Sequence, residues 1–320
     1  MFSQEDFNRY DTLNVVSRNI FQWTCPQDCH YRCQQLITDE TMKNDNHMYQ
    51  FYGKWPFRRV FGIQEFFLAA FSMGNLLVNY DNLKLIRHNQ KRAQVSSHPQ
   101  QLDWVGRIYS QFTIALVISI LGWLCSTIFH MRDNAVTETL DYFGANGILL
   151  ANFNAIAILL LKYYRSLKWT RLCQFVCVLA YVFHVASLLK QWDYQYNMKF
   201  GLTVGITSSL LWTWHTIQTN RIFTKHYPVL NNLIELLPYE TKVLTLAHNK
   251  IRSRLIPWIP LVCNLIVLGG VLLEVFDWHP LGRLVDAHSC WHLITIFPNF
   301  IWYDWIVWNV EMLKVLNKIK

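Results

Sequence analysis

Residues 108–131 read IYSQFTIALVISILGWLCSTIFHM and contain no Asp, Glu, Lys or Arg. A bilayer core about 30 Å thick takes roughly 20 apolar helical residues to cross, and this run is long enough. The same charge-free pattern recurs at 142–161, 172–189, 200–220 and 255–273. Two further runs each carry one charge: 60–80 holds Glu65, and 287–310 holds Asp304. Seven runs predict an all-α protein, a seven-transmembrane helix bundle spanning 60–310. It is preceded by a luminal segment, 1–59, and followed by a cytosolic tail, 311–320.

Composition agrees with the spans. Of 320 residues, 52% are hydrophobic, 15% aromatic and only 16% charged. Soluble domains carry roughly 25% charged residues, and aromatic rings gather at membrane interfaces. A chain this apolar excludes disorder. The net charge of +8 raises nucleic acid as a partner, and the placement of the cations excludes it. They alternate between loops. Lys84, Arg87, Lys91, Arg92 and Arg107 follow the first run, whereas Arg132 alone follows the second. Lys162, Arg165, Lys168 and Arg171 follow the third, but only Lys190 and Lys199 the fourth. The mixed basic stretch 221–254 follows the fifth, and Arg283 alone the sixth. Cationic loops stay in the cytosol, so the N-terminus is expected in the lumen and the C-terminus in the cytosol.

Lys54, Arg58 and Arg59 conflict with that orientation, since they precede the first span on the luminal side. A polar segment of that length crosses only behind a signal peptide, and MFSQEDFNRYD has no apolar stretch. The expectation is that an upstream segment is missing and that residues 1–22 are not the authentic N-terminus. Cys25, Cys29 and Cys33 are disulfide candidates in an oxidising lumen, with one left over for a partner upstream. A thiolate metal site completed by His30 is the alternative, although C-x3-C-x3-C is not a usual zinc spacing.

Ionisable residues inside spans default to functional hypotheses. Of twelve histidines, His288 and His292 stand four apart at the start of the last run, on one helix face. Ser126 and His130 form a second such pair at the end of the run quoted above, and Asp141 stands at the start of the next. The topology brings all five to one luminal depth, while His215 lies toward the opposite side. Three neutral imidazoles with one water make a tetrahedral zinc site with an open position. The chemistry that follows is hydrolysis: zinc acidifies the water, Asp141 takes its proton, and Ser126 bonds the developing oxyanion. The plainer readings are a back-bond to a helix carbonyl for Ser126 and a helix cap for Asp141. A serine hydrolase competes, but no G-x-S-x-G elbow surrounds Ser126.

These residues carry a resemblance. STIFHMRD at 126–133 with DYF at 141–143, then DAHSCWH at 286–292, is similar to a seven-span hydrolase superfamily. That superfamily includes the alkaline ceramidases and the adiponectin and progestin receptors. WTCPQDCHYRC at 23–33, GKWPF at 53–57, FGIQE at 61–65 and WDYQYN at 192–197 most resemble the post-GPI-attachment-to-proteins family within it. That family comprises GPI-remodelling phospholipases A2 and carries a signal peptide with further upstream cysteines. The resemblance implies zinc on His130, His288 and His292, with Ser126 and Asp141 as catalytic partners. The implied reaction removes the sn-2 acyl chain from the inositol phospholipid of GPI-anchored proteins. Membrane lipids and GPI-anchored proteins are then the partners, in the endoplasmic reticulum or Golgi membrane.

Glu65, His184 and Asp193 share the luminal depth. Glu65 and His184 are expected to line the substrate cavity or to orient ligands from outside, with plain interhelical hydrogen bonds as the alternative. Asp193, with Tyr194, Tyr196 and Asn197, is a candidate to meet glycan or phosphate, with an interfacial aromatic belt as the plainer role for the tyrosines. Two other functions fit the same residues: a ceramide-type amidase, and a non-enzymatic receptor or lipid chaperone with structural zinc.

Overall fold

The computed structural model describes residues 4–11, 15–96, 99–234 and 254–319. Regular structure among them is helical. A short α1 (Gln4–Arg9) and α2 (Val15–Asn19) lead to α3 (Cys25–Asn44). The long helices follow: α4 (Phe66–Ser96), α5 (Pro99–Met131), α6 (Ala135–Leu160), α7 (Leu167–Lys190) and α8 (Tyr194–Lys225). The short α9 (Tyr227–Leu233) precedes α10 (Ile259–Phe276) and α11 (Ala287–Ile319). Residues 235–253 of the basic stretch lie outside the described residues.

Four segments are long and apolar enough to cross a membrane: Asp103–Met131, Ala135–Leu160, Leu167–Lys190 and Ile256–Leu273. The protein is therefore a membrane protein. α4, α8 and α11 are long, but amides, hydroxyls and charges dilute their hydropathy. The first apolar run is also displaced. Residues 60–65 form no helix, because the chain turns there at Phe61 (φ 54°) and Gly62 (φ 84°), and α4 then continues to Ser96.

Short connections make neighbours antiparallel. α4 packs on α5, α5 on α6, α6 on α8, α8 on α10, α10 on α11, and α11 back on α4. α7 lies against α6 at the periphery and exposes Phe175, Val176, Leu179, Val182 and Phe183. Such a continuous apolar surface is tolerated where lipid covers it. In the half of the bundle distant from the start of α11, Tyr109, Phe112, Phe223, Trp305 and Trp308 are fully buried. The Trp305 indole N–H donates to the Ile256 carbonyl at 2.9 Å, so this large side chain is buried with its polar atom satisfied. The other half buries polar side chains, among them Ser72, Asn75, Ser126, His130 and His292.

The segment before α4 closes over that polar half. The Arg59 guanidinium lies 3.5 Å from the Trp23 ring and 4.1 Å from the Tyr31 ring, and it bonds Asp28 at 3.1 Å. Burial pulls Arg59 down to about 10, against the charges of Tyr31 and Asp28, and the same burial raises Tyr31. Lys54 pairs with Asp133 and lies 3.7 Å from Glu138. Arg132 donates to the Phe21 carbonyl at 2.9 Å, and Arg283 bonds Asp39 at 2.6 Å. The cations at 54–59 are thus held by acids and rings at this end of the bundle, Arg58 lying 5.9 Å from the Tyr10 ring. Charges matched locally are cheaper to hold there than isolated ones.

Candidate metal centre

Two helix starts and one helix end build the site. α6 begins on a capping box: the Asn134 side chain accepts from the Val136 and Thr137 amides at 3.0 and 3.1 Å, and Thr137 Oγ1 accepts from the Asn134 amide at 3.0 Å. The cap is therefore Asn134, and Asp141 falls in the second turn of α6, facing inward. α11 begins at Asp286, whose Oδ1 accepts from the Ser289 amide at 2.7 Å and the Ser289 hydroxyl at 2.5 Å. Burial pushes the Asp286 carboxyl above its usual range, opposed by those two bonds. Two residues on, His288 and His292 occupy successive turns.

α5 meets α6 where Gly122 faces Gly144. A Cβ on Gly144 would stand 3.0 Å from the Gly122 Cα. Only glycine allows this approach, one turn before Ser126 on α5 and one turn after Asp141 on α6. The Ser126 hydroxyl and the His130 and His288 rings face the Asp141 carboxylate.

The three histidines converge. Their ligating nitrogens all lie within 4.8 Å of one another, with His288 Nε2 and His292 Nε2 3.1 Å apart. Nitrogens held about 2.0–2.1 Å from a tetrahedral zinc stand roughly 3.3 Å apart, so the spacing fits. His130 Nε2 is buried without a hydrogen-bond partner among the described residues. Two facing lone pairs and a third buried one are unfavourable without a cation or proton between them. The three residues could therefore hold a metal ion.

The outward nitrogens are engaged. His130 Nδ1 is 2.6 Å from Glu65 Oε2, and His292 Nδ1 is 2.8 Å from Ser72 Oγ. Ser72 Oγ is in turn 3.2 Å from Ser126 Oγ. A metal-binding histidine characteristically directs its second nitrogen to such a partner. Glu65 reaches His130 because the turn before α4 lies on the end of α5: the Glu65 amide donates to the His130 carbonyl at 3.0 Å.

The other sequence-selected residues lie elsewhere. His184 is fully buried on α7, stacked 3.9 Å from the Phe200 ring. Asp193 caps α8 by accepting from the Tyr196 amide at 3.0 Å. Cys25, Cys29 and Cys33 lie at successive turns of α3, each as a free thiol among the described residues.

The chain matches the Per1-like family over residues 15–310. It belongs to that family. Protein PER1 of Saccharomyces cerevisiae is 30% identical over 306 residues, covering 94% of this chain and 81% of its own. The GPI-specific phospholipase A2-like PGAP3 of Danio rerio is 29% identical over 302 residues, 93% of this chain and 80% of its own. The post-GPI attachment to proteins factor 3 of Drosophila melanogaster is 27% identical over 304 residues, 94% and 79% of the two chains.

Sequence reading missed several residues of this Per1-like chain that serve the centre. Ser72 is one, and Asn75 is another, donating to the His292 carbonyl at 2.8 Å and to Thr295 Oγ1 at 3.1 Å. Trp123 meets the His292 ring edge-on at 5.3 Å. The available signal was the spacing of Ser72, Asn75, Asn79 and Asn82, which repeats every three or four residues down one face of α4.

Proposed function

We propose that this chain is a seven-span, zinc-dependent lipid ester hydrolase of the secretory pathway. It removes the sn-2 acyl chain from the inositol phospholipid of GPI-anchored proteins. The convergence of His130, His288 and His292, with His130 Nε2 buried and unbonded, carries the reading. The names of relatives, GPI-specific phospholipase A2-like and post-GPI attachment factor, supply the substrate class. Alternating loop charge supports seven spans, α4 to α8 with α10 and α11, the N-terminus in the lumen and the C-terminus in the cytosol. The membrane is that of the endoplasmic reticulum or Golgi.

Zinc bound by the three imidazoles would polarise the ester carbonyl and lower the pKa of a water toward about 7. The protein does the rest. Glu65 accepts the Nδ1 proton of His130 and fixes the tautomer that leaves Nε2 open. Ser72 accepts a hydrogen bond from His292 Nδ1–H in the same way and donates its own hydroxyl to Ser126 Oγ. Asp141 is the general base, taking the proton of the attacking water. As Asp141 becomes protonated, the Ser126 hydroxyl turns to the negative charge developing on the ester oxygen. Asp141 then returns the proton to the departing lysolipid.

The test is mass spectrometry of a GPI-anchored substrate after incubation with purified protein. The wild type releases one fatty acid and leaves the lyso form, whereas Asp141→Asn leaves the lipid diacylated. Acyl release by Asp141→Asn at the wild-type rate would refute the assignment.

A further inference from the structure

The end of α7 and the start of α8 border an open surface cleft that the hydrolytic centre does not use. It has a volume of about 220 Å3 and is lined by Ser187, Gln191, Asp193 and Tyr196. His184, Ser187 and Gln191 recur at three- and four-residue intervals, which places them on one face of α7. His184 is fully buried below the cleft, its ring 5.3 Å from that of Tyr196. Neither of its nitrogens has a hydrogen-bond partner among the described residues. Asp193 gives only Oδ1 to the helix cap, which leaves Oδ2 available.

Trp192, between Gln191 and Asp193 in the chain, makes the aromatic contact with α6. Trp192 stacks on Tyr142, with centroids 5.4 Å apart and planes 14° apart, and Tyr142 is the residue after Asp141. Trp192 remains 44% exposed, so it can take a further flat face. Uncharged amide and hydroxyl groups, one carboxylate and an exposed ring suit a polyol: hydroxyls need both donors and acceptors, and the apolar face of a pyranose packs on an aromatic ring.

We propose that the α7–α8 cleft is a carbohydrate subsite that holds the inositol-glycan headgroup while the acyl chain reaches the histidines. The proposal rests on the lipid-hydrolase reading for its choice of sugar. Gln191 and Asp193 bond headgroup hydroxyls, Trp192 supplies the stacking face, and Tyr196 forms the wall toward His184.

The experiment is titration calorimetry of the full chain in nanodiscs with glucosaminyl-inositol phosphate, which has no acyl chain to hydrolyse. The wild type binds it saturably. Gln191→Ala and Asp193→Ser, the latter keeping a capping hydroxyl, each weaken binding about ten-fold, the loss of one ordinary hydrogen bond. Absence of saturable binding to wild type, or equal affinity in wild type and both variants, would overturn the proposal. Acyl release from an intact GPI substrate is measured in parallel. If it fails while headgroup binding persists, the hydrolase reading falls and the subsite stands; if it persists without headgroup binding, the reverse holds.

Discussion

Glu65 and His130 are tied twice: Glu65 Oε2 stands 2.6 Å from His130 Nδ1, and the Glu65 amide bonds the His130 carbonyl at 3.0 Å. The second bond is main chain and survives substitution, so the first can be removed alone. Glu65→Leu is expected to lower zinc affinity about 10–100-fold, as losses of such outer partners do. Competition with a chromophoric chelator measures it. Unchanged affinity would show that His130 needs no orienting acceptor.

Ser72 occupies the equivalent place for His292. Ser72→Ala leaves His292 Nδ1 buried without its 2.8 Å partner, at a cost of about 1–3 kcal/mol. The expected result is a lower thermal midpoint and weaker acyl release. An isosteric Ser72→Cys restores the volume and only part of the bond, and should fall between the two.

The contact of Gly122 with Gly144 sets how closely α5 approaches α6. Gly144→Val places side-chain atoms where the Gly122 backbone stands, the first at 3.0 Å. Overpacking of this kind costs about 1–3 kcal/mol. Because Ser126 and Asp141 flank the contact, acyl release should fall more than the amount of folded protein does. Gel filtration and activity on the same sample separate the two effects. Full activity in Gly144→Val would mean that the spacing is not needed.

Lys54 provides a pH test of how the segment before α4 closes. Burial alone would lower its pKa, but the bond to Asp133 with the charges of Glu138 and Glu65 raises it above 10.5. A cation raised on folding stabilises the folded state below its unfolded pKa and loses that contribution as pH rises through the folded value. Lys54→Met should therefore lower the thermal midpoint at pH 8, and the difference from wild type should shrink above pH about 10.5. Tryptophan fluorescence on heating reads it. A difference independent of pH would assign Lys54 to packing alone.

Much of the site was legible because span chemistry is strict. A charge-free run excludes most alternatives to a helix, and histidines cost enough inside one to stand out. Ser126, His130, Asp141, His288 and His292 could be picked out by four-residue spacing and shared depth together. Ser72 and Asn75 could not, because an isolated Ser or Asn in a long helix usually bonds its own backbone. Only the packing of α4 on α11 shows that they face His292. The Arg59 sandwich between Trp23 and Tyr31 was hidden for another reason: it joins residues whose separation in sequence carries no periodic signal. The cations at 54–59 read as a topology conflict, and nothing in the sequence marks their partners Asp28 and Asp133. Glycine pairs such as Gly122 and Gly144 leave no mark in hydropathy, which registers what a residue adds and not the space it leaves.

Removal and return of zinc tests the central claim most directly. Purified wild-type protein is stripped with a chelator, assayed for acyl release from a GPI-anchored substrate, then reloaded with one equivalent of zinc and assayed again. Activity should vanish and return, while His130→Ala, treated identically, should retain less zinc and recover none. Acyl release that persists in the stripped wild type, or that zinc restores equally in His130→Ala, would contradict a hydrolytic centre built on these three histidines.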